Sequence, residues 1–289
     1  MIGTSAVHKE DIAKYYAETD QAYRNWSEVK DSRVPYALHV GYHPLGKELD
    51  QFNSVQMMNE EIYKALHLEG TQDLDILDAG CGVGSFTTYV AARTPKNILH
   101  GVTITPLQAA IAREYQLANC LDNVRYVVGD YTLLPYPDNF FDVAVFCDSF
   151  CNSENPKDTL LEIKKKLKQG GVVLISDIFL FSDVLCEEDK NLFQELQKGW
   201  HVPNLCSINQ MLSLLNSENG FYLELMQDLT VNVFPSARRA GLGAEVVLKQ
   251  KIHPVQNVQG NRVAACSFYS LLKRNKMKYY WFIAKKMSS

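Results

Sequence analysis

Asp78, Gly80, Gly82 and Gly84, within the run LDILDAGCGVG from Leu74 to Gly84, are the residues whose types and spacing imply chemistry most directly. Three glycines alternate after an aspartate, between a short apolar run and a segment, FTTYVAAR, with helical periodicity. Leu74 to Leu77 reads as a buried parallel strand, followed by a tight turn and a helix. Glycine is needed where the chain reverses sharply and a ligand must approach bare backbone. Strand, glycine turn and helix together make the cofactor corner of a doubly wound sheet, where a strand's carboxyl end meets a helix N-terminus.

Charge decides which cofactor such a corner suits. Gly80-x-Gly82-x-x-Ser85 comes close to the dinucleotide fingerprint, which is a weak signal alone. Asp78 would turn a carboxylate toward an incoming pyrophosphate. A cationic ligand fits better, and S-adenosylmethionine carries an ammonium and a sulfonium and no phosphate. Cys81, inside the turn, joins Asp78, Gly80 and Gly82 as a candidate contact. A nicotinamide-dependent oxidoreductase is the alternative that Asp78 disfavours.

The elements that must position this corner occupy the rest of the 289 residues, enough for a full core and an elaboration. The net charge of −4, with a pI near 6.0, argues against a nucleic-acid partner held by bulk electrostatics. No run of eighteen apolar residues predicts a membrane span, and MIGTSAVHKEDIAKYY lacks the apolar core of a signal peptide. Seven cysteines without a C-x-x-C pair or zinc spacing suggest reduced thiols and a cytoplasmic setting. A small-molecule partner is expected, and a homo-oligomer is left open.

Residues 8–32 read as a helix with Tyr15, Tyr16, Tyr23 and Trp26 on one face. That face suits either packing on the core or a lid over a pocket. Ala37 to Pro44 breaks the helix, and a second one runs from Asp50 to Leu66. The predicted division is an N-terminal helical lid over residues 1–70 and a Rossmann-like domain over 71–289, with a helical insertion at about 235–275. Ile98 to Thr105 is the second strand, ending in Thr103 with Gln108 close behind, where a ribose-binding acid usually stands. Residues 106–119 are helical, and Val124 to Tyr131 is the third strand. Its Asp130 can accept a hydrogen bond from an adenine amino group.

A turn from Pro135 to Asn139 leads to a fourth strand ending near Cys147-Asp148. Asp158 to Lys168 reads as a helix with solvated lysines at 164, 165, 166 and 168, capped by Gly170-Gly171. VVLISDIF is the fifth strand, with Asp177 at its end. Residues 182–200 and 207–219 read as helices around a break where Trp200 and His201 could face the pocket. Gly220 to Phe234 alternates as one long strand, which Pro235 ends. Arg238-Arg239 suits a solvated helix start, or an anion clamp for a diphosphate, in which case bound Mg2+ is expected. No metal site is otherwise predicted.

DAGCGVG, GDYTLLPYPDNFFD and LKQGGVVLISD, in this order and spacing, resemble class I S-adenosylmethionine-dependent methyltransferases. Among these the chain resembles small-molecule C-methyltransferases acting on sterols, tocopherols and prenyl diphosphates, over roughly residues 15 to 180. The early YY…T…Y…W…LHVGY pattern and Thr103-x-x-x-x-Gln108 add to the likeness, and MKYYWFIAKK fits the last strand. The implied fold is α/β, a doubly wound, mostly parallel seven-stranded sheet. The resemblance puts Asp78, Gly80 and Gly82 at the methionine end of the cofactor, Thr103 and Gln108 near the ribose, and Asp130 and Tyr131 near the adenine.

Where the sterol and tocopherol enzymes show Glu after the fourth strand and His four residues on, this chain has Asp148 and Asn152. Asn152 cannot act as a base at neutral pH. Asp148 is expected to touch both cofactor and acceptor, and Asp148, Asn152 and the lid tyrosines Tyr23 and Tyr42 are the candidate catalytic residues. The implied activity is methylation of a small hydrophobic metabolite, in particular at an alkene carbon through a carbocation. O- or N-methylation, and a cofactor-binding protein without methyl transfer, are the alternatives.

Overall fold

The computed structural model describes residues 5–181, 185–203, 205–250 and 255–287. Its seven strands are β1 (Asp75–Ala79), β2 (Ile98–Thr103), β3 (Val124–Val128), β4 (Phe141–Cys147), β5 (Leu167–Leu180), β6 (Phe221–Asp228) and β7 (Met277–Lys286). They form one sheet in the order β3-β2-β1-β4-β5-β7-β6, parallel except for β7, which runs antiparallel to both neighbours. The central strands are apolar runs because helices cover both faces. Ile76, Val143, Val145 and Leu174 pack on one side with Met58, Ile62 and Phe268. Leu77, Ala144, Phe146 and Ile175 pack on the other with Leu160 and Ile163. This alternation is the period-two direction of strand side chains.

The helices are α1 (Ser5–Ser27), α2 (Gln51–Ala65), α3 (Ser85–Ala91), α4 (Pro106–Ala118), α5 (Pro156–Lys166), α6 (Glu187–Trp200), α7 (Ile208–Leu214), α8 (Thr230–Lys249) and α9 (Gln256–Lys273). Asp50 caps α2 by accepting from the Asn53 amide, at the predicted boundary. The segment after α1 is strapped across the sheet's carboxyl edge onto α8. Gly41 N–H donates to Ser236 Oγ at 2.9 Å, and His43 N–H to the Asn232 carbonyl at 2.9 Å.

Five expectations are corrected. The long strand stops at Asp228, whose carboxylate accepts from Thr230 N–H, and TVNVF opens α8 with Pro235 inside it. Leu229, Val231 and Val233 satisfy an alternating pattern in sequence. The observed burial, however, picks out Leu229, Val233 and Ala237 and leaves Val231 69% exposed, which is helical spacing. The Gly170-Gly171 pair does not cap α5, because β5 begins at Leu167 and the glycines sit where its register against β4 shifts. Lys166 is not solvated but buried. Its ammonium donates to the Tyr136 carbonyl and pairs with Asp138 and Glu162. The helix expected over 182–200 begins at Glu187, residues 182–184 lying outside the described ones, and 207–219 divides into α7 and a 3₁₀ turn at Ser217–Asn219.

Candidate active site

The glycine corner is built by backbone that side chains could not follow. Gly80, Gly82 and Gly84 all have left-handed φ values, +83°, +54° and +81°. Gly80 and Cys81 donate their amides to the Val102 carbonyl at 2.8 and 2.9 Å, pinning the turn to β2. Above it Ser149 Oγ donates to the Ala79 carbonyl at 2.6 Å, and Tyr131 Oη donates to the Ser149 carbonyl at 3.0 Å. These bonds tie the ends of β1, β3 and β4 around a cavity of about 380 Å³.

All of the residues expected to hold a cofactor line this cavity: Asp78, Gly80, Cys81, Gly82, Thr103, Gln108, Asp130, Tyr131 and Asp148. Thr103 Oγ1 donates to Gln108 Oε1 at 2.8 Å, so the two are preset as a pair. Tyr131 is held edge-on to Phe146, 5.3 Å between ring centres. Among the described lining residues no lysine or arginine appears, whereas Asp78, Asp130, Asp148, Glu154 and Asp158 do. That donor set repels a pyrophosphate and suits a cationic, phosphate-free ligand, so these residues fit S-adenosylmethionine.

Asp78 makes the preference testable. Burial pushes its carboxyl up to about 6, against hydrogen bonds from Thr87 that hold it down. A cationic ligand needs the ionised form, so affinity is full above that value and lost below it. The affinity for S-adenosylmethionine, which keeps the sulfonium, is expected to fall about tenfold between pH 7 and pH 5, as the ionised fraction of Asp78 does. Asp78→Asn should flatten the profile in calorimetric titrations; a flat profile in the wild-type protein would contradict the assignment.

A second cavity, of about 520 Å³, adjoins the first. Its walls include Tyr15, Tyr16, Tyr23 and Trp26 of α1, Trp200 of α6, and faces of α8 and α9. Tyr16, Leu38, Asp148 and Asn152 line both cavities and so mark their junction. Asp148 sits there with a left-handed φ of +50°, uncommon for a residue with a side chain. Its Oδ2 accepts from Val40 N–H at 2.7 Å and its Oδ1 from Tyr279 Oη at 2.7 Å. Tyr279 Oη also lies 2.8 Å from Ser176 Oγ, which accepts from Trp281 Nε1 at 2.8 Å. Asp177 lines the second cavity only, and its Oδ2 accepts from Cys151 N–H at 2.9 Å. Burial, and then the neighbouring carboxyl of Asp177, push the Asp148 carboxyl well up; burial raises Asp177 too.

The remaining candidates divide. Tyr23 lines the second cavity, with its hydroxyl 2.9 Å from that of Tyr15 and its pKa pushed up to about 12 by burial. Tyr42 lines neither cavity; it packs on the core beside α2, its amide bonded to the Ser54 carbonyl. Trp200 reaches the second cavity, whereas His201 caps α6 in a left-handed conformation and packs on Tyr15. Arg238 and Arg239 are neither a helix start nor a free clamp. They lie within α8, Arg238 on Glu48 at 2.9 Å and Arg239 on Gln51 Oε1 and the Leu49 carbonyl. Sequence reasoning missed Leu38, Val40 and Tyr279. The signal for Tyr279 is that a tyrosine buried in a strand needs a partner for its hydroxyl.

The sheet order with one antiparallel strand and the acidic glycine corner define the class I S-adenosylmethionine-dependent methyltransferase fold. Residues 77–175 match the family model described as a methyltransferase domain. The chain is 25% identical to sterol 24-C-methyltransferase ERG6B of Gibberella zeae, over 78% of this chain and 58% of that protein. It is 27% identical to O-methyltransferase cnsE of Penicillium expansum, over 86% of each. It thus spans about three-fifths of the sterol relatives it matches, 58% and 60% of two of them. Among solved structures it resembles the [4+2]-cyclase SpnF (TM-score 0.79, 20% identity, 97% of each chain). It also resembles geranyl diphosphate C-methyltransferase from Streptomyces coelicolor (TM-score 0.71, 17% identity, 99% of this chain and 100% of that one). The match over residues 77–175 is to a methyltransferase domain, and the fold of the whole chain is that of the methyltransferases it resembles. Among its described residues, no helix is long and apolar enough to cross a membrane.

Proposed function

We propose that this chain methylates a small, largely apolar metabolite with S-adenosylmethionine, at the carbon of an alkene. The observation that carries the reading is the shared wall of the two cavities, where Asp148, Asn152, Tyr16 and Leu38 stand between a cofactor-sized and an acceptor-sized space. When bound, the cofactor supplies an electrophilic methyl group. The chain's own part is alignment, exclusion of water and charge management. Methylation of an alkene carbon would leave positive charge on the acceptor, which the chain must then hold and discharge. The aromatic faces of Tyr16, Tyr23, Trp26 and Trp200 attract such a cation. Asp148 in its ionised form then takes the proton from the adjacent carbon, and because burial and Asp177 raise its carboxyl, that form is favoured at the alkaline side.

We read residues 1–70 as the cap of this site, since α1 contributes to both cavities and Val40 reaches Asp148. Among the described residues no three His, Cys, Asp or Glu side chains gather as a metal site, and Arg238 and Arg239 are engaged by Glu48, Gln51 and the Leu49 carbonyl.

A second reading, cofactor binding without methyl transfer, is favoured by one observation. Both oxygens of Asp148 already accept hydrogen bonds, and Asn152 is no base. Incubation with methyl-labelled cofactor and prenyl alcohols, prenyl diphosphates, sterols or phenolics separates the readings. Label is expected on carbon of an unsaturated acceptor. Label on oxygen of the phenolics would replace C-methylation by O-methylation. Tight cofactor binding with no transfer to any of them would favour the second reading.

A further inference from the structure

Arg262 stands apart from every other arginine in the chain. The sequence has nine arginines, and eight of them donate to a carboxylate, carbonyl or amide oxygen: Arg24, Arg33, Arg93, Arg113, Arg125, Arg238, Arg239 and Arg274. Among the described residues Arg262 has no such partner, yet it is half-buried and lines the second cavity. Its place on α9 shows which end of that cavity it serves. Phe268 lines the cavity from the core, and along the same helix Ala265 and then half-buried Arg262 follow with increasing exposure. Six residues of helix put Arg262 about 9 Å from the Phe268 level. Asn25 and Glu28, both exposed, line the cavity as well.

The cavity is therefore polarised. One part of its wall carries the carboxyls of Asp148 and Asp177, another is aromatic, and Arg262 adds an uncommitted guanidinium, whereas Arg239, which also lines it, is engaged by Gln51 and the Leu49 carbonyl. Guanidinium stays charged at any working pH and presents a planar fork that matches an oxyanion. We propose that the acceptor carries an oxyanion, a carboxylate or a phosphate monoester, at the end remote from its reacting atom, and that Arg262 receives it. This rests on the reading of the second cavity as the acceptor site. The same arrangement fixes orientation, because an anion entering first would meet the two carboxyls.

Calorimetry with S-adenosylhomocysteine comes first, and its failure to bind would count against the methyltransferase reading itself. Decanoate, decyl phosphate, decanol and decylamine are then titrated into the wild-type protein, with and without S-adenosylhomocysteine. Both anions, or one of them, should bind about tenfold or more tightly than decanol, the scale of a charge-assisted hydrogen bond. The order of the two anions tells carboxylate from phosphate. Arg262→Gln should bring that preference to about one, with melting temperature and S-adenosylhomocysteine affinity unchanged, and Arg262→Lys should keep part of it. The proposal is overturned if decanol or decylamine matches the better anion, if neither anion binds, or if the preference survives in Arg262→Gln.

Discussion

Asp148→Asn should lower turnover on the true acceptor by about a hundredfold or more, the usual scale for a lost general base, and leave S-adenosylhomocysteine affinity near wild type. The asparagine keeps the shape and removes the basic oxygen pair. The side chain accepts from two donors, Val40 N–H and Tyr279 Oη, so an amide keeps the first with its oxygen and can keep the second with its N–H only if Tyr279 turns its own proton to Ser176 Oγ. A modest drop in melting temperature is therefore expected alongside, and it must be measured to keep the two effects apart. Burial and the neighbouring Asp177 raise the Asp148 carboxyl, so the wild-type rate should fall as the pH drops through that raised value, where the group gains its proton. Normal turnover in Asp148→Asn would exclude it as the base and move the role to Asp177, the other carboxyl lining the acceptor cavity.

Gly80→Val should abolish binding of S-adenosylhomocysteine, a loss beyond a hundredfold by calorimetry. A Cβ built at Gly80 stands 2.5 Å from Ser149 Cβ and 3.0 Å from Ser149 Oγ. The φ of +83° is strained for any side chain and worst for a branched one. Ser149 cannot yield without breaking its bond to the Ala79 carbonyl and releasing Tyr131. Gly82 provides the internal comparison: its φ of +54° is left-handed too, but a Cβ there meets only the Leu38 methyls, at 3.3 and 3.9 Å, the tip of a side chain that can turn aside. Gly82→Ala should therefore weaken binding far less than Gly80→Val. Unchanged affinity in Gly80→Val, with the protein folded by circular dichroism, would contradict the placement of the cofactor.

The parts of the site that could be read in the sequence are those built locally. Asp78 and the alternating glycines lie within a few residues, and strand, turn and helix each leave a pattern of their own. Thr103, Asp130 and Asp148 were legible because each stands at the end of an apolar strand, where a parallel sheet places its ligands. Val40 and Tyr279 were not, since they reach Asp148 across 108 and 131 positions, and one of them does so through its backbone amide. Helix α8 was misread because Leu229, Val231 and Val233 satisfy both periods at once over so short a stretch. The Asx bond from Asp228, which ends the strand there, has no periodic signature. Tyr42 was misplaced for a related reason. It follows the junction residues Leu38 to Val40 in sequence, but the chain turns at Gly41, and Tyr42 points into the packing beside α2.

The two long-range bonds to Asp148 also bear on the order in which the protein can acquire its site during synthesis. Strand β7 lies between β5 and β6, so β6 has no sheet partner until a segment made some fifty residues later arrives. Tyr279 travels with that segment, and the Val40 amide has waited since the first residues emerged. Domains are generally built from the N-terminal side as the chain leaves the ribosome. A nascent chain can thus complete the glycine corner, which needs only β1 to β4, well before Asp148 is clamped. The glycine corner can form while the Asp148 carboxyl still lacks its tyrosine, so cofactor binding and the proposed methyl transfer should appear at different lengths of the same growing chain.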